Sequence, residues 1–149
     1  MAEKENLHAG HRQRVKNRIR RSGLDDMEDH QVLEALLFFA LPRVDTNEIA
    51  HRLLQRFRTL SAVFEASPEE LKEVQGVGDN AALLLNMIPG LTRRYLLSKV
   101  VPHARLTDTE AVGNLLKPYF IGKTEEHVYL LGLDAKRVPI ACELIHKGS

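Results

Sequence analysis

The segment from Val74 to Asp79 combines residue types that form a tight turn and can hold an anion. Glycine accepts positive φ and permits close approach of another backbone, so Gly76 and Gly78 allow a sharp turn while Val77 fills the core. A helix that starts directly after such a turn presents N–H groups without acceptors, and these groups can bind a phosphate. The pattern predicts either a nucleic-acid backbone contact at Gly76, Val77 and Gly78 or a helix connection that binds nothing. The two interpretations are about equally supported, because Asp79 and Asn80 follow the turn where a phosphate site prefers Lys or Arg, and Asp79 can cap its own helix.

The segments on either side identify this turn as the centre of a helix-hairpin-helix motif. Ser67-Pro68-Glu69-Glu70 supplies an N-cap, a proline at the first helical position and a glutamate at the third, which predicts a short helix before the turn. Residues 81–85 resume a helical pattern after the turn. We expect Pro89-Gly90 to kink or break this second helix, because proline lacks an N–H group.

The first 21 residues carry most of the positive charge. They contain seven Lys and Arg residues against two Glu residues, a net charge of +5 in a chain whose total is +1. A basic segment on a nearly neutral chain predicts a polyanionic partner, so Arg12, Arg14 and Arg18 are candidates for contacts with DNA. The alternative is a solvated helix face. Aromatic residues make up only 5% of the chain, which argues against a surface that stacks the bases of single strands.

Hydrophobic periodicity predicts a helical domain over residues 1–101. Besides the helices around the turn, we expect helices over residues 9–22, from Asp29 to Pro42, from Asp45 onwards and over residues 59–66. Asp29 is expected to cap the second helix, and Asp45 with Glu48 to form a capping box for the third. His51 has no Cys, His or carboxylate partner at a metal-binding spacing, so we expect a surface or half-buried side chain.

Residues 102–149 are predicted to form a linker, one short helix and one β-hairpin. Thr107 with Glu110 makes a capping pattern for the helix, and Pro118 is expected to end it. Two apolar runs on either side of a turn at residues 134–136 predict the hairpin. The expected strands are residues 127–133 and 138–145. A lone hairpin is marginal in water, so the predicted fold class is mainly α with the beginning of a further sheet.

Composition places the chain among ordinary soluble proteins. It is 44% hydrophobic and 28% charged, without an apolar run of membrane-spanning length or a signal peptide. The single cysteine, Cys142, excludes an internal disulfide and fits a reducing cytoplasm, where it packs as a small hydrophobe. The sequence therefore predicts a cytoplasmic protein without a membrane partner.

Five segments, in the same order along the chain, resemble the RadC family. They are Gly10-His11-Arg12-Gln13-Arg14, Glu34-Ala35-Leu36-Leu37-Phe38 followed by Leu41-Pro42-Arg43, Gly76-Val77-Gly78, residues 125–136 and residues 142–149. The first three resemble the helical N-terminal region of that family, and the last two resemble the opening strands of its JAB (MPN) domain. The resemblance implies an N-terminal helical bundle with a helix-hairpin-helix motif, followed by an incomplete α/β JAB domain. It also implies an association with DNA repair.

The resemblance further implies a catalytic residue that this chain alone cannot use. JAB metallopeptidases bind zinc through a His-x-His-Pro motif and a downstream Asp, with an upstream Glu as general base. Glu126 is the first choice for that base and Glu143 the second, and the alternative for both is a solvated carboxylate. No His-x-His motif occurs in the sequence, so we expect no metal, no cofactor and no hydrolysis from this chain. Zinc is expected only in a complete family member, of which this chain is the N-terminal part or a naturally shortened form.

Three functions are compatible with these patterns. The first, which we favour, is a RadC-like, non-catalytic portion that binds the DNA backbone without sequence preference. The second is the N-terminal part of a zinc-dependent JAB hydrolase. The third is a protein-interaction or regulatory module, in which the exposed edge of the hairpin pairs with another copy or a partner.

Overall fold

The described residues form seven helices followed by one β-hairpin. The structure is a computed structural model that describes residues 2–101 and 103–148, with the backbone alone for residues 2–9. The elements are α1 (Ala2–Ser22), α2 (Asp29–Ala40), α3 (Thr46–Phe57), α4 (Leu60–Glu65), α5 (Pro68–Lys72), α6 (Asp79–Ser98), α7 (Thr109–Phe120), β1 (His127–Leu133) and β2 (Pro139–Lys147). The predicted fold class, mainly α with a C-terminal hairpin, is confirmed. None of the described helices is both long and apolar enough to span a membrane.

The chain divides into two compact units, Met1–Asn86 and Met87–Ser149. The first unit contains α1 to α5 and the start of α6, and the second contains the rest of α6, α7 and the hairpin. The predicted domain boundary between residues 101 and 102 stays a prediction, because these units do not test where an independently folding domain ends. The assignment of the hairpin to an incomplete JAB domain also stays a prediction.

Apolar stripes on the helices form the core of the first unit. Leu33 with Leu37 on α2, and Ile49 with Leu53 on α3, lie one helical turn apart and are fully buried. The segment from α4 to the start of α6 completes the core with Val63, Ala66, Leu71, Val74, Val77, Ala81, Ala82 and Leu85. This packing fixes α3, α5 and α6 against one another, and these are the helices that hold the predicted turn.

Two short helices begin at the residues that the sequence indicates. Ser67 and Glu70 form the predicted capping box: the Ser67 hydroxyl accepts from the Glu70 N–H group at 3.2 Å, and the Glu70 carboxylate accepts from the Ser67 N–H group at 2.9 Å. Hydrogen bonds from the Ser67 N–H and hydroxyl groups hold the pKa of Glu70 below its ordinary value. Thr59 caps α4 by accepting from the Ala62 N–H group at 3.1 Å.

The predicted cap of α2 is wrong by one residue. Asp29 is the first residue inside the helix, and Glu28 occupies the capping position. The N–H group of Glu28 donates to the Gln31 side chain at 3.2 Å, which satisfies a backbone donor at the start of the helix. Asp29 remains favourable in the first turn, because its charge faces the positive end of the helix dipole.

The predicted start of α3 is right, but the predicted capping box is wrong. Asp45 is the cap and accepts from the Asn47 N–H group at 3.0 Å. Glu48 stands at the position expected for the box, yet its carboxylate pairs with Arg52 at 2.8 Å. An arginine four residues later on the same face therefore binds this carboxylate.

Of the predicted kink or break at Pro89-Gly90, the break is wrong, because α6 continues through both residues. The kink stays a prediction. Proline removes one N–H donor from the helical ladder, and the turns on both sides still form. The ring of Pro89 lies against Gly122, where an added Cβ atom would lie only 2.4 Å from Pro89 Cβ. Gly122 also has a φ of 70°, so the loop after α7 needs glycine for both its conformation and its close approach.

Both predicted ends of α7 are shifted. Asp108, rather than Thr107, is the cap, and it accepts from the Ala111 N–H group at 2.8 Å. This bond is the largest cause of a lowered pKa at Asp108, and a hydrogen bond from the Thr107 hydroxyl adds to the effect. Pro118 does not end the helix, which continues to Phe120. A proline in the last turn loses one hydrogen bond while its own carbonyl still accepts from Ile121 at 3.4 Å.

The predicted hairpin is confirmed. β1 and β2 are antiparallel, and the register pairs His127 with Lys147 at one end and Leu133 with Pro139 at the other. Asp134 closes the turn, because one of its carboxylate oxygens accepts from the N–H groups of Lys136 and Val138, each at 2.8 Å. Two irregularities in the register interrupt the ladder.

Candidate nucleic-acid interface

The turn between α5 and α6 has the conformation that the glycine pattern predicts. Gly76 has a φ of 95°, and an added Cβ atom at this position would lie 2.8 Å from the side chain of Ile49. Val77 is 6% exposed and belongs to the core cluster. Its N–H group donates to the Val74 carbonyl at 3.0 Å. The backbone of the turn is therefore pressed against α3, and a buried side chain holds it there.

Gly78 occupies the capping position of α6, immediately before Asp79. Its carbonyl accepts from the Ala82 N–H group at 2.9 Å, and nothing lies within 4 Å of an added Cβ atom. The N–H groups of Asp79 and Asn80 have no acceptor among the described residues, and both residues are exposed. The first turn of this 20-residue helix therefore offers free donors at the positive end of the helix dipole.

Asp79 brings a negative charge to the same end of α6. Its carboxylate accepts a hydrogen bond from the Lys72 ammonium group at 3.1 Å, in an exposed ion pair. The helix begins at Asp79, so the carboxylate does not act as the cap that the sequence allowed. The ion pair nearly neutralises the edge of the turn, so an approaching phosphate finds weaker attraction there than a free lysine would give.

Two arginines on α3 lie beside the turn and are also paired with carboxylates. Arg52 bridges Glu48 at 2.8 Å and the Gln75 carbonyl at 3.3 Å. Arg56 forms an ion pair with Glu73. Arg52 thus ties the turn to α3 and places a guanidinium group at its edge, although the sequence analysis did not select this residue.

Arg12 is occupied by the structure of the first unit. Its guanidinium group donates to the carbonyls of Leu41 at 2.7 Å and Pro42 at 2.8 Å, and also to that of Val44. The same group lies over the Phe38 ring, 4.8 Å from the ring centre. Arg12 therefore satisfies the carbonyls of the C-cap residue Leu41 and of the loop that follows α2.

Arg18 has a similar structural role, whereas Arg14 does not. Arg18 donates to the Asp26 carbonyl at 2.6 Å and to the Gln31 side chain at 3.4 Å, in the loop before α2 and its first turn. Arg14 is exposed and forms no hydrogen bond or ion pair with another described residue. The three predicted arginines are thus not brought together at the turn, and of the three only Arg14 has no partner among the described side chains.

Glu34 is a buried carboxylate that the sequence analysis missed as an interacting group. It is 3% exposed, and its oxygens contact His11 Nε2 at 2.7 Å and Asn47 Nδ2 at 3.2 Å. The Thr46 hydroxyl donates to the Glu34 carbonyl at 3.2 Å. These bonds join α1, α2 and α3, so Glu34 is a structural link with its acceptors in use. A lone acidic residue within the apolar run of α2 was the sequence signal for such a buried partner.

The two carboxylates proposed as general bases lie apart on the hairpin. Glu126 is exposed just before β1, and its carbonyl accepts from the Gly148 N–H group at 2.7 Å. Glu143 is exposed on β2 and stands opposite Leu130 in the register. Among the described residues, no three His, Cys, Asp or Glu side chains are grouped so that they could hold a metal ion. Nothing in the described residues tests the role of either glutamate, so their assignment stays a prediction.

His51 is exposed, and its ring stacks on that of His30 with the ring centres 4.5 Å apart. The partner comes from α2, so the sequence spacing could not reveal the pair. The two rings are stacked at an interplanar angle of 22°, and the exposure of His51 agrees with the predicted surface or half-buried side chain.

No protein-family model matches this chain, and no solved structure matches it either. The resemblance to RadC and to the JAB domain therefore stays a prediction from the sequence segments alone.

Proposed function

We propose that the turn between α5 and α6 binds the phosphate backbone of nucleic acid without sequence preference. The observation that supports it is the pair of N–H groups of Asp79 and Asn80, exposed and without acceptors at the start of a long helix. Packing of Gly76 and Val77 against α3 holds these donors in place before any ligand arrives. A phosphate oxygen can accept from them at the positive end of the helix dipole.

The charges around the turn set the expected strength. Lys72 and Arg56 are paired with carboxylates, and Arg52 shares its guanidinium group between Glu48 and the Gln75 carbonyl. Binding therefore relies mainly on the backbone donors, with part of the Arg52 charge beside them and the exposed Arg14 as a more distant cation on α1. We expect two or three phosphate contacts and a dissociation constant of about 10⁻⁴ to 10⁻⁶ M. With so few contacts, affinity should fall roughly 10- to 40-fold between about 50 and 200 mM salt.

Gly78 offers a matched pair of substitutions to test the proposal. Its conformation suits any residue, and the space around its missing Cβ atom is open, so both Gly78→Asp and Gly78→Ala should fold. Aspartate at the capping position accepts from the first N–H groups of α6 and places a carboxylate where the phosphate would lie. We expect Gly78→Asp to abolish binding of a fluorescent DNA duplex, measured by anisotropy at low salt. Gly78→Ala should retain most of it.

Thermal unfolding supplies the control for this experiment. Gly78→Asp should unfold at the same temperature as the parent or higher, since a capping aspartate stabilises a helix. Equal DNA affinity for both variants would contradict the proposal, as would parent affinity that does not change with salt.

The hairpin supports a second proposal, that the chain is part of a RadC-like hydrolase. Leu130, Ile140 and Ile145 are between 58% and 70% exposed, an amount of apolar surface that a larger sheet would cover. In a complete JAB domain Glu126, or else Glu143, would serve as general base beside zinc. The coding sequence after Ser149 tests this directly: it should encode a His-x-His-Pro motif and a downstream Asp.

The same exposed strands support pairing with another protein chain instead. Both strands of the hairpin are edges of a two-stranded sheet, and an edge can accept a further strand. In this case the purified chain should self-associate through the hairpin at high concentration. Strictly monomeric sedimentation at high concentration, or a dimer that survives Leu130→Lys unchanged, would oppose this alternative.

A further inference from the structure

A ridge of exposed apolar side chains runs along the part of α6 in the second unit. Met87, Leu91 and Tyr95 follow one another at intervals of four residues and are 54%, 60% and 57% exposed. At about 100° per residue they lie within an arc of about 80° on the helix surface. Three large apolar side chains in one row, each more than half exposed, are the pattern of a helix face that binds a partner.

Two positive charges accompany this ridge. Arg94 is exposed, forms no hydrogen bond or ion pair with another described residue, and lies about 20° from Met87 on the helix surface. Lys99 places its ammonium group over the Tyr95 ring, 4.6 Å from the ring centre. The apolar row therefore has the Arg94 charge on one side and the Lys99 charge over the face of Tyr95.

The surrounding sequence contains no carboxylate to neutralise these charges. No acidic residue occurs between Asp79 and Asp108, whereas the same segment contains Arg93, Arg94, Lys99 and Arg105. Arg93 donates to the Ile121 carbonyl at 3.1 Å, so its guanidinium group has a structural role. Arg94 and Lys99 are therefore the two cations that can contact a partner bound to the ridge.

We propose that this ridge is a docking site for an amphipathic helix of another protein that carries carboxylates beside its apolar stripe. The spacing of Met87, Leu91 and Tyr95 matches the ridges that interlock when two helices pack. Carboxylates on the partner would meet Arg94 and Lys99, which set the orientation and the preference for an acidic partner. A second copy of the same ridge fits less well, because it would bring these cations against identical charges.

Synthetic three-heptad helices with identical leucine stripes test the proposal. One peptide carries Glu at the positions beside the stripe and the other carries Lys. Anisotropy of the labelled peptides with the full chain, at about 0.15 M salt, should show binding of the Glu peptide and roughly tenfold weaker binding or none of the Lys peptide. The double variant Arg94→Glu/Lys99→Glu should reverse this preference.

Leu91→Glu should reduce binding of the Glu peptide at least about tenfold, because it puts a charge at the centre of the apolar ridge. Leu130→Glu is the matched control, since Leu130 is 58% exposed on the hairpin and should tolerate the same change without loss of binding. Circular dichroism confirms that both variants fold.

Three results would overturn the proposal. They are equal binding of both peptides, no binding of either, and the same loss from Leu130→Glu as from Leu91→Glu. Vesicles of phosphatidylcholine, with and without phosphatidylserine, separate a membrane from a protein partner. Binding to the anionic vesicles together with no binding of the Glu peptide would assign the ridge to a lipid surface and also reject the proposal.

Discussion

Arg12 illustrates why residue type alone does not identify a nucleic-acid contact. Its charge and position in a basic segment suggest a phosphate ligand, but three carbonyls in the segment just after α2 bind its guanidinium group. The sequence shows that Pro42 follows the apolar helix, but the carbonyls of the loop after α2 acquire a donor only through tertiary packing. Which arginine would supply it depends on how α1 packs, and the sequence alone does not show that.

We predict that Arg12→Ala lowers the free energy of unfolding by roughly 2–4 kcal/mol, because charged hydrogen bonds and the contact with Phe38 are lost together. Arg12→Lys should recover only part of this loss, since an ammonium group cannot reach several carbonyls with the planar geometry of guanidinium. Urea denaturation measures both changes. Arg14→Ala is the control and should change stability by less than about 0.5 kcal/mol, so equal effects at the two positions would contradict the structural role of Arg12.

At the scale of elements, the sequence predicted where helices exist better than where they end. The capping box of Ser67 and Glu70 is local, so its residues alone determined the start of α5. The prolines in α6 and α7 were read as helix breakers, although each removes only one hydrogen bond. At Pro89 the ring packs against Gly122, 33 residues later in the chain, and this contact accompanies the lost hydrogen bond. No local sequence pattern predicts such a long-range contact.

The contact between Pro89 and Gly122 leads to a prediction about the second unit. Gly122→Ala should destabilise it by at least about 2 kcal/mol, because alanine is strained at this φ and its methyl group would overlap Pro89. Gly113→Ala is the matched control: Gly113 lies inside α7 with nothing within 4 Å of an added Cβ atom. It should raise stability by roughly 0.5–1 kcal/mol through helix propensity. Thermal unfolding followed by circular dichroism distinguishes these opposite signs.

At the scale of the whole molecule, the fold class was predictable and the candidate site was predictable only in part. Apolar periodicity specified the helices and the hairpin, and the glycines specified the conformation of the turn at residues 76–78. The charges that would accompany a phosphate were not predictable, since the pairing of Arg56 with Glu73 joins residues 17 positions apart. Such pairs depend on the packing of α3 beside the turn, which no local pattern encodes.

The attachment of α1 has a consequence for how the first unit opens. From residue 10 onwards α1 has no fully buried side chain, and it is fixed by the polar groups of His11, Arg12 and Arg18. The buried apolar cluster of the first unit contains no residue before Leu33 among the described side chains. We therefore predict that amide hydrogens of α1 exchange with deuterium well before those of α2 and α3, by detachment of a single helix. Simultaneous exchange of all three helices would contradict this order. Detachment of α1 alone would expose the surface around Phe38 to solvent, while the buried core of the first unit would stay closed to water.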